Sequence, residues 1–344
     1  MMKKILLIIL LMTAQSLQAD SDFNRARMIA MRHIRNNDFE QALDAFNQYL
    51  KVHPDNIYAY IEIAQVYMNL RDQDAAIRTI LNGLANNPRA SGLYMKMGDI
   101  YFSLQDYGNV IKYLKLMLNT CPGEEIDTEC NKIYKLIGVS YFLKYDHENA
   151  LLYLKKYQNL VFNDPEAYKY ISLTYQNFND KKRSNAYQEM NALLLNQSGI
   201  SRNNFYYKQG VIFLKNGIYT EALNVLLRIA QARKNDHRLM FNIGMGYLLI
   251  REYPESILYV KRASELWDRK KLNFNKLIKL DNTGGKYALV LSLAYYLNKE
   301  TGKAAETYKK VEDFDRYFFN YYKGDYKRGV HSKLYKQLPA MWED

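Results

Sequence analysis

The sequence predicts an all-α protein built as an array of stacked antiparallel helix pairs. Three observations lead there. The 344-residue chain holds only 6 prolines and 16 glycines, too few breakers for an all-β sandwich, which turns about every 8–12 residues. Hydrophobic residues make up 48% of it, enough to exclude disorder of the whole chain. Pro54, Pro88 and Pro122 stand 34 residues apart, and each closes a block in which small and aromatic residues recur at fixed offsets. A period of that length denotes a supersecondary unit that buries its apolar face only by stacking on its neighbours.

The first nineteen residues fall outside the array. Lys3 and Lys4 form a positive start, Ile5 to Met12 is an unbroken apolar run, and a more polar stretch ends at Ala19 before Asp20. Residues 1–19 therefore read as a secretory signal peptide cleaved after Ala19. The run is too short for a spanning helix, which needs about 20 residues. An uncleaved anchor is the alternative, because Leu17 is not the small residue favoured at that distance from the cut. No other segment approaches a membrane span, so the mature chain is expected to be exported and periplasmic or secreted.

The first three blocks start at Phe23, Ile57 and Ser91. Position 8 reads Ala30, Ala64 and Gly98; position 11 reads His33, Tyr67 and Tyr101; position 20 reads Ala42, Ala76 and Val110; position 24 reads Phe46, Ile80 and Leu114. A fourth block starts at Asn131 with Tyr134, Gly138, Tyr141, Ala150 and Leu154 in register. A fifth starts near Pro165 with Tyr168 and Tyr175, but Ala186 comes two residues late for position 20, so this block reads as degenerate. The sixth starts at Asn203 (Tyr206, Gly210, Phe213, Ala222, Leu226) and the seventh at His237 (Ile243, Gly244, Tyr247, Ser256). An eighth starts near Gly285 with Tyr295, Ala304 and Tyr308. This pattern resembles the tetratricopeptide repeat (TPR), with its small residue at 8, tyrosine at 11, alanine at 20, bulky residue at 24 and proline at 32.

The resemblance implies a right-handed α-solenoid of about eight helix pairs. Positions 8 and 20 would lie where the two helices of a pair cross, with the residues at 11 and 24 filling the space beside them. Polar runs such as Asn36-Asn37-Asp38 and Asn216-Gly217 would form the turns. The polar stretch Asn196–Asn204 is the expected bend, dividing an N-terminal lobe (20–196) from a C-terminal one (197–313). Residues 269–285 form a basic insert, and the aromatic-rich segment 314–344 is expected to cap the last pair.

Little in the chain suggests catalysis. The five histidines are scattered without ligand spacing, and no phosphate-cradling glycine loop or nucleophile elbow occurs. The expectation is a protein that is not an enzyme and needs no cofactor or metal. The net charge of +12 is spread over many blocks rather than gathered in a tract, which with export argues against nucleic acid. An anionic envelope polymer fits the charge better. Cys121 and Cys130 flank one extended acidic loop, so in an oxidising compartment they are expected to pair. Closing that loop contributes about 2–3 kcal/mol in the chain-entropy model.

In the family the first helix of each repeat lines the inner surface, chiefly through positions 2, 5, 9, 12 and 13. A well-known carboxylate clamp uses Lys at 5 and Asn at 9; this chain has Arg27 and Met31 there, so the clamp is not carried over. The positions present Tyr58 and Ile61, then Met95 and Phe102, then Val139 and Phe142, then Tyr207 and Val211, then Phe241 and Met245. Asp99, Lys132, Lys135 and Lys169 add charge. Together they describe an apolar, aromatic groove with a basic middle, suited to a helix or peptide of a partner protein with acidic flanks. The expected function is an exported scaffold for envelope assembly or secretion. The alternative is a cell-wall glycan-binding accessory protein whose tyrosines stack on sugars.

Overall fold

A computed structural model describes residues 21–119, 128–273 and 283–314. It is all-α: sixteen helices and no strand among the described residues. The first eight are α1 (21–35), α2 (Phe39–Val52), α3 (Ile57–Asn69), α4 (Gln73–Asn86), α5 (Ser91–Ser103), α6 (Tyr107–Leu118), α7 (Thr128–Leu143) and α8 (His147–Leu160). The remainder are α9 (Pro165–Asn177), α10 (Lys181–Asn196), α11 (Arg202–Lys215), α12 (Tyr219–Ala230), α13 (His237–Leu249), α14 (Tyr253–Asn273), α15 (Thr283–Leu297) and α16 (Thr301–Phe314). Consecutive helices pair, giving eight hairpins of an α-solenoid. The chain divides into two compact units between Leu160 and Val161, so α1–α8 and α9–α16 are described separately. The stretch Asn196–Asn204 joins α10 to α11 within the second unit.

Every hairpin turns at the same repeat position. Position 15 holds Asn37, Arg71, Gln105, Tyr145, Asn179, Gly217, Arg251 and Lys299, all with φ between 57° and 73°. The N–H of position 16 then donates to the carbonyl of position 11 at 2.9–3.0 Å, as in Asp106 to Tyr101, and that of position 15 donates to position 12. This is the Schellman closure, which satisfies the last carbonyls of the first helix. Position 16 starts the second helix: the carboxylates of Asp72, Asp106, Asp146 and Asp180 accept from the N–H three residues on. The second helix begins at position 17 in all eight pairs.

The crossing refines the expected packing. Position 8 meets position 24 more closely than position 20. A Cβ at Gly98 would lie 2.7 Å from Leu114, at Gly138 2.7 Å from Leu154, at Gly210 2.3 Å from Leu226 and at Gly244 2.5 Å from Val260. Where serine replaces glycine its hydroxyl is used: Ser172 donates to the Ser184 carbonyl and Ser292 to the Ala304 carbonyl, each at 2.8 Å. The fifth pair is thereby corrected. Its turn and crossing are in register, with Ser184 rather than Ala186 at position 20. Only deeper in α10 does the pattern slip: position 24 is the exposed Gln188, and Tyr187 beside it is buried instead.

Between consecutive repeats, Tyr60, Tyr94 and Tyr168 donate their hydroxyls to the carbonyls of Pro54, Pro88 and Phe162, six residues back. Tyrosines at positions 11 and 23 stack in four pairs, Tyr101–Tyr113, Tyr141–Tyr153, Tyr175–Tyr187 and Tyr247–Tyr259, with centroids 5.5–5.6 Å apart. Such stacks are worth about 0.5–1.5 kcal/mol beyond their burial. In the second unit Arg183 ties α10 to α12 through Glu221 and also bonds Asp180, contacts that hold its guanidinium above its ordinary pKa.

Candidate binding surface

Three first helices of unit one, α1, α3 and α5, carry a row of polar side chains that interlock across neighbours. Arg27 on α1 donates its Nε to Glu62 Oε1 on α3 at 2.8 Å. Lys96 on α5 donates to Gln65 Oε1 on α3 at 2.6 Å. Asp99, one turn beyond Lys96, opens to solvent at the rim of this row. Protein packed around it partly desolvates the Asp99 carboxyl, which pushes it above its ordinary range, and Lys96 draws it partly back. The Lys96 ammonium is pushed down by burial, against the pull of Asp99 and Glu62. The row is therefore mixed in sign, not basic. Glu62 and Lys96 were missed because they stand at position 6, just beside the inward positions the pattern names, whereas Gln65 stands at the inward position 9 and could have been read from it.

Apolar side chains flank the row. Tyr58 is 61% exposed. Ile61 is half-buried against the α3–α5 core, and Met95 and Phe102 are half-buried against the cluster of Val110, Leu114 and Ile133. Phe102 and Phe142, both at position 12, set their rings 5.7 Å from Tyr107 and 5.6 Å from His147, so each shelters the start of its own second helix. Lys132 is exposed, while the Lys135 ammonium runs to 5.8 Å from the Tyr157 ring. Val139 is a correction: it is buried, with 6% of its surface exposed.

The second unit departs from the expectation. Lys169 on α9 is exposed, but Tyr207, Val211, Phe241 and Met245 are all buried. Tyr207 lies under the Arg233 guanidinium at 4.5 Å and accepts from the Asn242 amide at 3.2 Å. Phe241 stacks on Tyr287 at 4.4 Å. These four are core residues, and the groove expected along repeats six and seven is not an open surface. The reason is visible in α13 and α15, whose runs Leu239–Gly246 and Tyr287–Ala294 are buried on every side. A helix apolar all round belongs to a core, and that signal was available in the sequence.

Among the described residues no group of three or more His, Cys, Asp or Glu could hold a metal ion, and no helix is long and apolar enough to cross a membrane. Cys121, the loop after it, the basic insert from 274 to 282 and the aromatic segment from 315 onward lie outside the described residues, as do the signal segment and the side chain of Cys130.

Residues 27–91 match the family model described as Tetratricopeptide repeat. The chain is 21% identical over 307 residues to a TPR repeat-containing protein of Methanocaldococcus jannaschii, covering 79% of this chain and 53% of that protein, so it spans about half the relative's length. Among solved structures, a MamA from Desulfovibrio magneticus is similar at 16% identity and a TM-score of 0.44, over 52% of this chain and 98% of that one. YrrB, titled a TPR protein with an unusual peptide-binding site, is similar at 15% identity and a TM-score of 0.33, over 65% of this chain and 93% of that one. The match to the tetratricopeptide repeat covers residues 27–91, and the left-handed turn at position 15 and the helix start at position 17 recur in all eight hairpins, so the chain is an α-solenoid of helix pairs similar to tetratricopeptide repeats.

Proposed function

We propose that this protein is an exported interaction scaffold that holds a segment of a partner protein on the inner helices of its first unit. The observation that carries the reading is the interlocked row Arg27–Glu62, Gln65–Lys96 and Asp99, bordered by Tyr58, Ile61 and Met95. An apolar strip edged by charges of both signs suits an amphipathic helix or extended peptide with mixed flanks. Side chains already tied to one another are pre-organised, which lowers the ordering cost of binding. The envelope as the site of action is part of this proposal and draws on the signal-like residues 1–19. The stacked tyrosine pairs give the glycan reading no support, because each turns a ring face toward its partner.

The test is partner recovery from envelope extracts with helical content monitored. Tyr58→Ala removes an exposed aromatic anchor and should weaken capture by about tenfold or more. Asp99→Lys should change association rate and salt dependence. If both variants stay folded and recover the same partner in the same amount, the inner face of unit one is not the site.

A further inference from the structure

A second surface lies on the other helices of unit one, away from the mixed-charge row. Helix α6 contains no acidic residue, and α8 contains only Glu148 in its first turn. Their middle turns present Lys112, Lys115 and Lys156, all exposed. These lysines converge on tyrosines instead of carboxylates. Lys112 lies 5.2 Å from the Tyr113 ring centroid. Lys115 donates to the Tyr141 hydroxyl at 2.7 Å and lies 5.5 Å from the Tyr153 ring, which Lys156 approaches from 5.3 Å. Two ammoniums from two helices thus share one aromatic ring, and none of the three lysines has a carboxylate partner among the described residues. The caps Asp106 and Asp146 are occupied by the N–H groups of Asn109 and Asn149 at the helix starts. Beside the lysines stand two half-exposed leucines, Leu116 next to Lys115 at 41% and Leu152 one turn before Lys156 at 50% exposure.

Like charges gathered without counter-charges repel one another, so they mark a place where an anion is gained on binding. The residue types narrow the anion. Lysine is a flexible, strongly hydrated point charge, whereas a shaped carboxylate socket favours the planar fork of arginine. Single exposed leucines beside lysines, one of which bonds a tyrosine hydroxyl, are the elements of interfacial contact with a lipid headgroup layer. We propose that the α6–α8 face of unit one docks on an anionic phospholipid surface, leaving the inner helices free for a protein partner. The attraction is diffuse and additive, about fivefold in partition per lysine.

Co-sedimentation of the full chain with phosphatidylcholine vesicles, with and without phosphatidylglycerol, tests this directly. The expected result is a salt-sensitive gain in binding on the anionic vesicles. Lys112→Glu, Lys115→Glu and Lys156→Glu together should remove about a hundredfold of that gain or more, since each change also adds a negative charge. Lys112→Gln with Lys156→Gln, which spares the Tyr141 bond, should remove part of it and serves if the triple variant fails to fold. Leu116→Ser with Leu152→Ser should lower binding at unchanged charge. Equal binding with and without phosphatidylglycerol overturns the proposal, as does unchanged binding of the folded lysine variants. Full release by soluble polyglutamate with no effect of the leucine changes would also overturn it, and would assign the face to an acidic polypeptide. Partner recovery through Tyr58 and Asp99 should be the same in all these variants, which separates this surface from the inner one.

Discussion

Position 8 is glycine in four of the eight hairpins, but the four are not equivalent. At Gly98 and Gly210 the obstructing atoms belong to the side chains of Leu114 and Leu226, which can rotate. At Gly138 and Gly244 a Cβ would also meet a backbone nitrogen at 3.0 Å, of Leu154 and Val260 respectively. Backbone yields only by separating the two helices. Gly138→Ala and Gly244→Ala are therefore expected to destabilise by about 1–3 kcal/mol, the usual cost of overpacking. Gly98→Ala should cost less, because the Leu114 side chain can turn aside and the gain of about 1 kcal/mol in helix propensity, common to all these sites, then offsets most of the strain. Denaturant midpoints of the three variants check this order. Position 15 makes the opposite kind of prediction. Tyr145 is 84% exposed and sits at φ 62°, a left-handed conformation that costs a side-chain-bearing residue about 1–2 kcal/mol. Tyr145→Gly removes that cost and adds about 0.5–1 kcal/mol of chain entropy in the unfolded state. A net gain of about 0.5–1 kcal/mol should appear in thermal unfolding.

Helix α6 is started by the Asp106 carboxylate, which accepts from the Asn109 N–H at 3.1 Å and from its side-chain amide at 2.7 Å. These bonds hold its pKa below the ordinary carboxylate value. A depressed acid stabilises the fold above its unfolded pKa and loses that contribution as pH falls through the folded one. Asp106→Ala should thus cost about 1 kcal/mol near neutrality, and the difference from the parent chain should vanish in acid. Equal differences at both pH values in a urea titration would contradict the cap. The helix boundaries were largely readable because proline, aspartate and the small crossing residues act locally. The turn residues were only partly so: Asn37, Asn179 and Gly217 are natural left-handed residues, but Arg71, Gln105, Tyr145, Arg251 and Lys299 give no such signal. They are held there by the two Schellman hydrogen bonds and by the helix that follows. Buried surroundings were harder still. Assigning Phe241 and Met245 to a groove used repeat position alone, whereas the unbroken apolar run of α13 outweighs position.

For the molecule as a whole, the period of 34 carried the fold because one packing solution is repeated eight times. Function is not repeated, so the same pattern says little about it. Of the inward positions, those of repeats one to three reach the surface beside an interlocked polar row, and those of repeats six and seven are consumed by packing. The candidate surface is thereby confined to the first unit, with Arg27, Tyr58, Ile61, Met95 and Asp99 retained from the sequence and Glu62, Gln65 and Lys96 added. The Cys121–Cys130 pairing and the cut after Ala19 belong to the proposal that the protein is exported. Non-reducing mass spectrometry of native material should find both cysteines oxidised and Asp20 at the amino terminus.

The most direct measurement places a photoreactive residue at Tyr58, at Asp99 and at Leu258, which is 65% exposed on α14 and serves as a surface control. Irradiation in native envelopes should yield one protein adduct of the same mass from Tyr58 and Asp99, and none from Leu258. An adduct from Leu258 with none from Tyr58 or Asp99 would contradict a partner site on the inner helices of the first unit.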